Sequence, residues 1–119
     1  MTEHNCAFCD YDEYDVIAKN DFGVVLVEEK PLSKGHSVII PRRHVESFFD
    51  LTEKEHQSLL QLLDLARNEL VIRHKPNGFH VSFDDGTVFG NTSEHLHIHI
   101  VPHYEGQNIN LDARWGIQK

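Results

Sequence analysis

The densest chemistry in the chain lies in seven residues, His95-Leu96-His97-Ile98-His99-Ile100-Val101. In an extended strand, side chains alternate between the two faces, so this spacing predicts one face carrying His95, His97 and His99. Leu96, Ile98 and Ile100 then line the other face. The apolar half of the pattern is what a sheet packed on a core requires. The histidine half is not, because Thr, Lys or Glu would serve a solvent-facing strand equally well. Three imidazoles in register can donate, accept or attack near neutral pH. Two kinds of site fit them: a metal site, since imidazole is a common zinc ligand, or a nucleophilic histidine whose neighbours hold the substrate.

The rest of the chain must supply a scaffold for that strand. Asp15 to Lys19 and Phe22 to Glu28 read as two strands joined by a turn at Asn20-Asp21. Lys30 to Gly35 reads as a loop, and His36 to Pro41 as a short buried strand rich in β-branched residues. Ser47 to Leu51 reads as a turn. Thr52 followed by Glu55 is a capping-box pattern. Behind it Leu59, Leu62, Leu63, Ala66 and Leu70 recur at helical spacing, which predicts one long helix over Glu53 to His74 with its leucine stripe on the sheet. Pro76-Asn77-Gly78 breaks the chain, Phe79 to Phe83 returns as a strand, and a loop from Asp84 to Glu94 leads into the histidines. Beyond His103 no periodicity survives. Strands joined by short turns indicate an α+β arrangement, an antiparallel sheet of about five strands with the helix on one face.

The 119 residues are expected to form a single domain: the Cys pair in 1–12, the core in 13–104 and an irregular tail in 105–119. The formal charge of −8, from 11 basic and 19 acidic side chains, argues against a nucleic-acid polymer as partner, which would call for a basic stripe. No apolar run approaches the roughly 20 residues needed to cross a bilayer, and no signal peptide follows Met1. The expected location is cytoplasmic, with no membrane partner. The two cysteines form Cys6-Ala7-Phe8-Cys9. A disulfide does not suit a cytosolic chain of this size, and no βαβ pattern follows to support a redox pair. Half of a zinc site is the reading left, and it needs two further ligands.

Taken together, these motifs resemble the histidine-triad (HIT) family of nucleotide hydrolases and transferases. His95 to Val101 alternates as the triad does and ends in two apolar residues. Gly35-His36-Ser37-Val38-Ile39-Ile40-Pro41-Arg42-Arg43-His44 is similar to the family's Gly-His strand closing in Ile-Pro-Lys/Arg-x-His. Ser47-Phe48-Phe49-Asp50-Leu51-Thr52 matches the approach to the helix, and Gly90-Asn91-Thr92 stands where Gly-Gln-Thr/Ser is common. Cys6 and Cys9 match the pair of the zinc-containing bacterial-type members.

The resemblance implies a HIT-like fold and hydrolysis or transfer at a nucleoside α-phosphate, on a nucleoside phosphoramidate or a dinucleoside polyphosphate. It makes His97 the nucleophile of a covalent nucleotidyl-histidine, its other ring nitrogen held by a backbone carbonyl. It makes His99 a donor to phosphate oxygen or leaving group, with Asn91 and Thr92 as further donors and Glu28 facing the ribose hydroxyls. A closed tetrahedron of Cys6, Cys9, His44 and His95 would hold a structural zinc. No organic cofactor is implied. The small nucleotide is the expected partner, together with a second copy of the chain, paired through the Glu53–His74 helix and the Phe79–Phe83 strand.

Some positions depart from the family's pattern. His80-Val81-Ser82-Phe83-Asp84 stands where relatives often read Asn-x-Gly-x-Asn, Glu28 replaces an aspartate, and Asn91 replaces Gln. Val88-Phe89 replaces a small pair, and His103 stands where many relatives have Arg. Two other readings follow: a nucleotide-binding regulatory module with little catalysis, and a metallohydrolase whose triad shares one open zinc.

Overall fold

A computed structural model describes residues 15–85 and 95–107. The chain forms β1 (Val16–Lys19), β2 (Gly23–Val27), β3 (Ser37–Pro41), a 3-10 turn (Phe48–Asp50), α1 (Glu53–His74), β4 (Gly78–Ser82) and β5 (Ile98–His103). The strands make one sheet in the order β1-β2-β3-β5-β4, every neighbouring pair antiparallel. This is the predicted α+β architecture, and α1 has the predicted bounds. No described helix is long and apolar enough to cross a membrane.

The β1–β2 hairpin turns at Asn20, whose Oδ1 accepts from the backbone N–H of Phe22 and Gly23 at 2.9 and 3.0 Å. Its Nδ2 donates to the Ser58 carbonyl and Gln61 Oε1, both at 3.0 Å, so the same side chain ties the turn to α1. Gly23 is required where the helix presses on the sheet. A Cβ there would lie 2.8 Å from the Ile40 carbonyl oxygen and from the Leu59 and Leu62 methyl groups.

Alternation along the strands divides the sheet into two faces. Val25, Ile39 and Ile98 pack with Val45, Leu51, Leu96 and the helix residues Leu59, Leu62 and Ala66 in the main core. Val24, Leu26, Val38 and Ile40 form a second apolar cluster, set by the same alternation on the opposite face. Val38 pairs with His99 and His99 pairs with Ser82, so β5 presents His99 on the face away from the helix.

The capping box at the start of α1 has a second use. Thr52 Oγ1 accepts from the Glu55 N–H at 3.1 Å, and Glu55 Oε1 accepts from the Thr52 N–H at 2.9 Å. The Glu55 carboxylate also accepts from two Arg43 nitrogens, Nε at 3.0 Å and Nη2 at 2.8 Å. This clamp fixes the chain as it leaves β3, one residue before His44. Bonding to Arg43 holds the Glu55 carboxyl down at about 2, against an ordinary 4.5. Between those values the unfolded chain binds more protons, so stability rises with pH. The contribution is complete above the ordinary value and is lost as pH falls toward about 2. Arg43 is 52% exposed, so water screens the pair. Glu55→Gln should cost about 1–2 kcal/mol at neutral pH. It should also flatten the acid limb of stability, which urea unfolding at successive pH values would show.

The histidine segment departs from the predicted strand. The ladder starts at Ile98, not His95, and runs on to His103 rather than stopping at Val101. β3 runs to Pro41, but its pairing with β5 stops at Ile39. The Pro41 carbonyl is taken instead by the His95 ring, while the Leu96 N–H bonds the Val45 carbonyl at 2.7 Å. His95 to His97 are thus held by side-chain and loop contacts outside the sheet.

Candidate active site

His97 is half-buried, and its Nδ1 donates to the carbonyl oxygen of His95 at 2.9 Å. With the proton of a neutral ring on Nδ1, the lone pair resides on Nε2. The expected backbone carbonyl is therefore that of His95. The His97 ring meets His99 edge-on, with centroids 5.0 Å apart. A nitrogen lone pair thus stands beside a second imidazole, the arrangement needed to attack an electrophile while donors engage its oxygens.

His99 is buried, and its Nδ1 lies 2.9 Å from His36 Nε2. His36 is also buried, and its Nδ1 accepts from the Leu32 N–H at 3.0 Å. Glu28 is half-buried, with Oε1 3.9 Å from His99 Nδ1 and Oε2 accepting from the Lys30 N–H at 3.3 Å. The loop that carries these groups is pinned to the end of β5. Ser33 Oγ donates to the Pro102 carbonyl and Tyr104 Oη to the Lys34 carbonyl, each at 2.6 Å. Gly35, at φ +93°, makes the turn that brings His36 into place.

Ligand atoms of Glu28, His36 and His99 all lie within 4.8 Å of one another. Hydrogen bonding accounts for this grouping better than a cation does. His36 Nδ1 already accepts from Leu32, so the proton of the neutral ring is on Nε2, the atom that would have to bind a metal.

His95 faces a different set of groups. Its ring is buried, Nε2 donates to the Pro41 carbonyl at 2.8 Å, and the ring of the exposed His44 lies 4.8 Å away. Burial pushes the His95 pKa down to about 4, against the pull of the Pro41 carbonyl, with His44 and His97 lowering it further. A neutral imidazole oriented by a backbone carbonyl is a common arrangement for a metal ligand. Two of the four positions read as zinc ligands, His44 and His95, are therefore adjacent. Cys6 and Cys9 lie outside the described residues, as do Asn91, Thr92 and Val88-Phe89.

The altered β4 positions border the site. Ser82 pairs with His99 and His80 with Val101, and the His80 ring lies 6.5 Å from that of His103. Three contributors carry no role in the sequence pattern. His36 stands there only within the Gly35–His44 block, the Leu32 amide has no side-chain signal, and Asp85 belongs to no motif. Asp85 accepts from Ser47 Oγ and, at 2.9 Å, from the Phe48 N–H, tying the chain beyond β4 to the 3-10 turn.

An antiparallel sheet backed by one helix, with a carbonyl-held histidine on its open side, defines a small α+β domain. Residues 12–106 match the sequence model of the HIT domain, and the chain belongs to the HIT domain family. It is 30% identical to an uncharacterized HIT-like protein of Mycoplasma genitalium, over 99% of this chain and 90% of that one. It is 34% identical to the bis(5'-adenosyl)-triphosphatase of Saccharomyces cerevisiae over 79% of this chain, and spans 46% of that protein's length. Among solved structures, a HIT family protein from Bacillus anthracis superposes with a TM-score of 0.77 at 24% identity, over 88% of this chain and 77% of the other. A Zn-bound histidine triad family protein from Mycobacterium smegmatis gives 0.76 at 18% identity, over 90% and 81%. These two likenesses speak for the fold.

Proposed function

We propose that the protein is a nucleotide hydrolase or nucleotidyl transferase that acts through a covalent intermediate on His97. The observation that carries this is the His97 Nδ1–His95 carbonyl bond, which leaves the Nε2 lone pair beside the His99 ring. In the first step Nε2 forms a bond to the α-phosphorus, and the bond to the leaving group breaks with its electron pair. The His97 ring becomes cationic, and the His95 carbonyl stabilises the charge through Nδ1–H. Water then attacks phosphorus, the N–P bond breaks, and one proton of the water is released to solvent. His99 donates a hydrogen bond to the phosphate or leaving-group oxygen, Asn91 and Thr92 add donors, and Glu28 takes the ribose hydroxyls. The name of the yeast relative supports a dinucleoside polyphosphate as one substrate class, with nucleoside phosphoramidates the other. A panel drawn from both classes tests the reading. Turnover of at least one member is expected; tight nucleoside monophosphate binding with no turnover would replace it with a nucleotide-binding module.

The zinc-containing bacterial-type assignment belongs to the same reading. Cys6, Cys9, His44 and His95 would hold a zinc whose role is to pin the N-terminal segment beside the reactive histidines. A homodimer is also part of it. β4 is an edge strand, and beside it a groove of about 850 Å³ is lined by Leu60, Leu63, Arg67, Phe79 and Val81. Leu60 and Val81 are exposed apolar residues on that surface. A second copy of the chain laying its own helix and β4 edge there would cover both. Light scattering at micromolar concentration should give twice the chain mass, and Leu60→Glu should shift it toward the monomer. A monomeric parent protein would count against this interface.

A further inference from the structure

Among the described residues, two buried polar atoms have no hydrogen-bond partner, Ser82 Oγ and His103 Nε2. A buried hydroxyl left unpaired costs folding free energy, and such a group in a native fold calls for a reason. The two stand in different places. His103 is the last residue of β5 and pairs with Gly78, at the far end of the ladder from His99. Ser82 is the last residue of β4 and pairs directly with His99. Cross-strand partners in an antiparallel pair share a face, with Cβ atoms about 4.5–5.5 Å apart. Ser82 is therefore beside His99 on the face away from the helix. The same transverse row continues through Val38 on β3 and Leu26 on β2, so its polar side chains are His99 and Ser82. β4 is an edge strand, and among the described residues no further strand lies beyond Ser82 to pair with it. His36 engages His99 Nδ1 at 2.9 Å from the β3 side, whereas Ser82 flanks the ring from the β4 side.

Resting on the nucleotide reading above, we infer that Ser82 is a ligand-contacting residue whose hydroxyl donates to an oxygen of the phosphate that His99 holds. A hydroxyl is a neutral donor that rotates to suit its acceptor, so it follows a phosphate oxygen without adding charge. The residue as a whole is half-buried, and a change of χ1 rotamer turns the covered Oγ toward the open face. The pairing that the free chain lacks is then made in the complex, and to a charged acceptor, which is the stronger kind of hydrogen bond. Relatives often have Gly at this position, which carries no side chain. The contact is thus one that this chain adds to the common pattern.

Ser82→Ala tests this on the full chain, by calorimetric titration with adenosine and guanosine monophosphates and by thermal unfolding without ligand. The dissociation constant of whichever nucleotide binds the parent should rise about tenfold or more, the loss of one hydrogen bond to a charged group. The unliganded variant should melt a few degrees above the parent, because an unpaired buried hydroxyl has been removed. A purely structural hydroxyl would give the reverse, unchanged affinity and a lower melting temperature. Ser82→Gly removes the same hydroxyl and should weaken binding as much, although Gly weakens the strand itself. A lower melting temperature in Ser82→Ala, or a dissociation constant unchanged in either variant, overturns the inference and leaves the nucleotide reading in place. If neither monophosphate binds the parent chain, the nucleotide reading fails and the inference fails with it.

Discussion

Replacing His97 with Asn should reduce turnover by about 10³-fold or more while leaving the fold intact. The amide of Asn has no basic nitrogen lone pair, so no N–P bond can form and the two-step route closes. The cost to stability should be small. His97 is half-buried, and losing its bond to the His95 carbonyl is worth about 1 kcal/mol. Loss of activity with an unchanged unfolding transition would therefore separate chemistry from structure. His97→Ala should behave alike. Mass spectrometry adds a direct readout, because parent protein quenched during turnover should carry one nucleoside monophosphate on His97 and the Asn variant none. His99→Asn should fall less far, since it removes a donor and leaves the nucleophile. Unchanged turnover in either His97 variant would remove the nucleophile from this reading altogether.

Most of the fold was legible because its signals are local. Thr52 and Glu55 announce the capping box, the leucine spacing sets the length of α1, and Asn20 marks the hairpin. The strands lie within a residue or two of their expected bounds except at the histidine segment. There, strict alternation from His95 to Val101 predicted a strand, but a ladder also needs a partner. The pairing with β3 stops at Ile39 and Ile98, a limit set by a distant part of the chain. The candidate site was legible in its side chains and not in its wiring. The triad and the His36–His44 block point to the candidate groups. The contacts that set their protons come from the main chain: the His95 carbonyl for His97, the Leu32 amide for His36, the Pro41 carbonyl for His95. Every residue carries the same carbonyl, and all but proline the same amide N–H, so composition and spacing cannot reveal which of them will be aimed at a ring. The loop that aims Leu32 is held through Ser33, Lys34 and Tyr104, and those contacts span almost 70 residues or more in sequence.

Protein purified without chelator under reducing conditions should carry about one tightly held zinc per chain, as a closed tetrahedral site requires. The prediction joins three segments: Cys6 and Cys9 near the N-terminus, His44 just beyond β3, and His95 before β5. The fold already brings the last two together, with ring centroids 4.8 Å apart. Burial keeps His95 neutral, its pKa near 4, so a proton offers little competition at that ligand around neutral pH. Cys6→Ser or Cys9→Ser should lose the metal and lower the unfolding free energy by roughly 3–5 kcal/mol. That is less than the about 10 kcal/mol or more that zinc-finger peptides gain, because this sheet and helix have a core of their own. Activity should fall in the cysteine variants, though by less than in His97→Asn. The reason lies in the backbone: the carbonyl that holds the His97 proton belongs to His95, and a ligand bond would steady both ends of that residue. Elemental analysis showing no zinc would take Cys6 and Cys9 out of the metal reading. His95 would then act through its bond to the Pro41 carbonyl without a metal, and His95→Asn should cost activity with or without metal in the buffer.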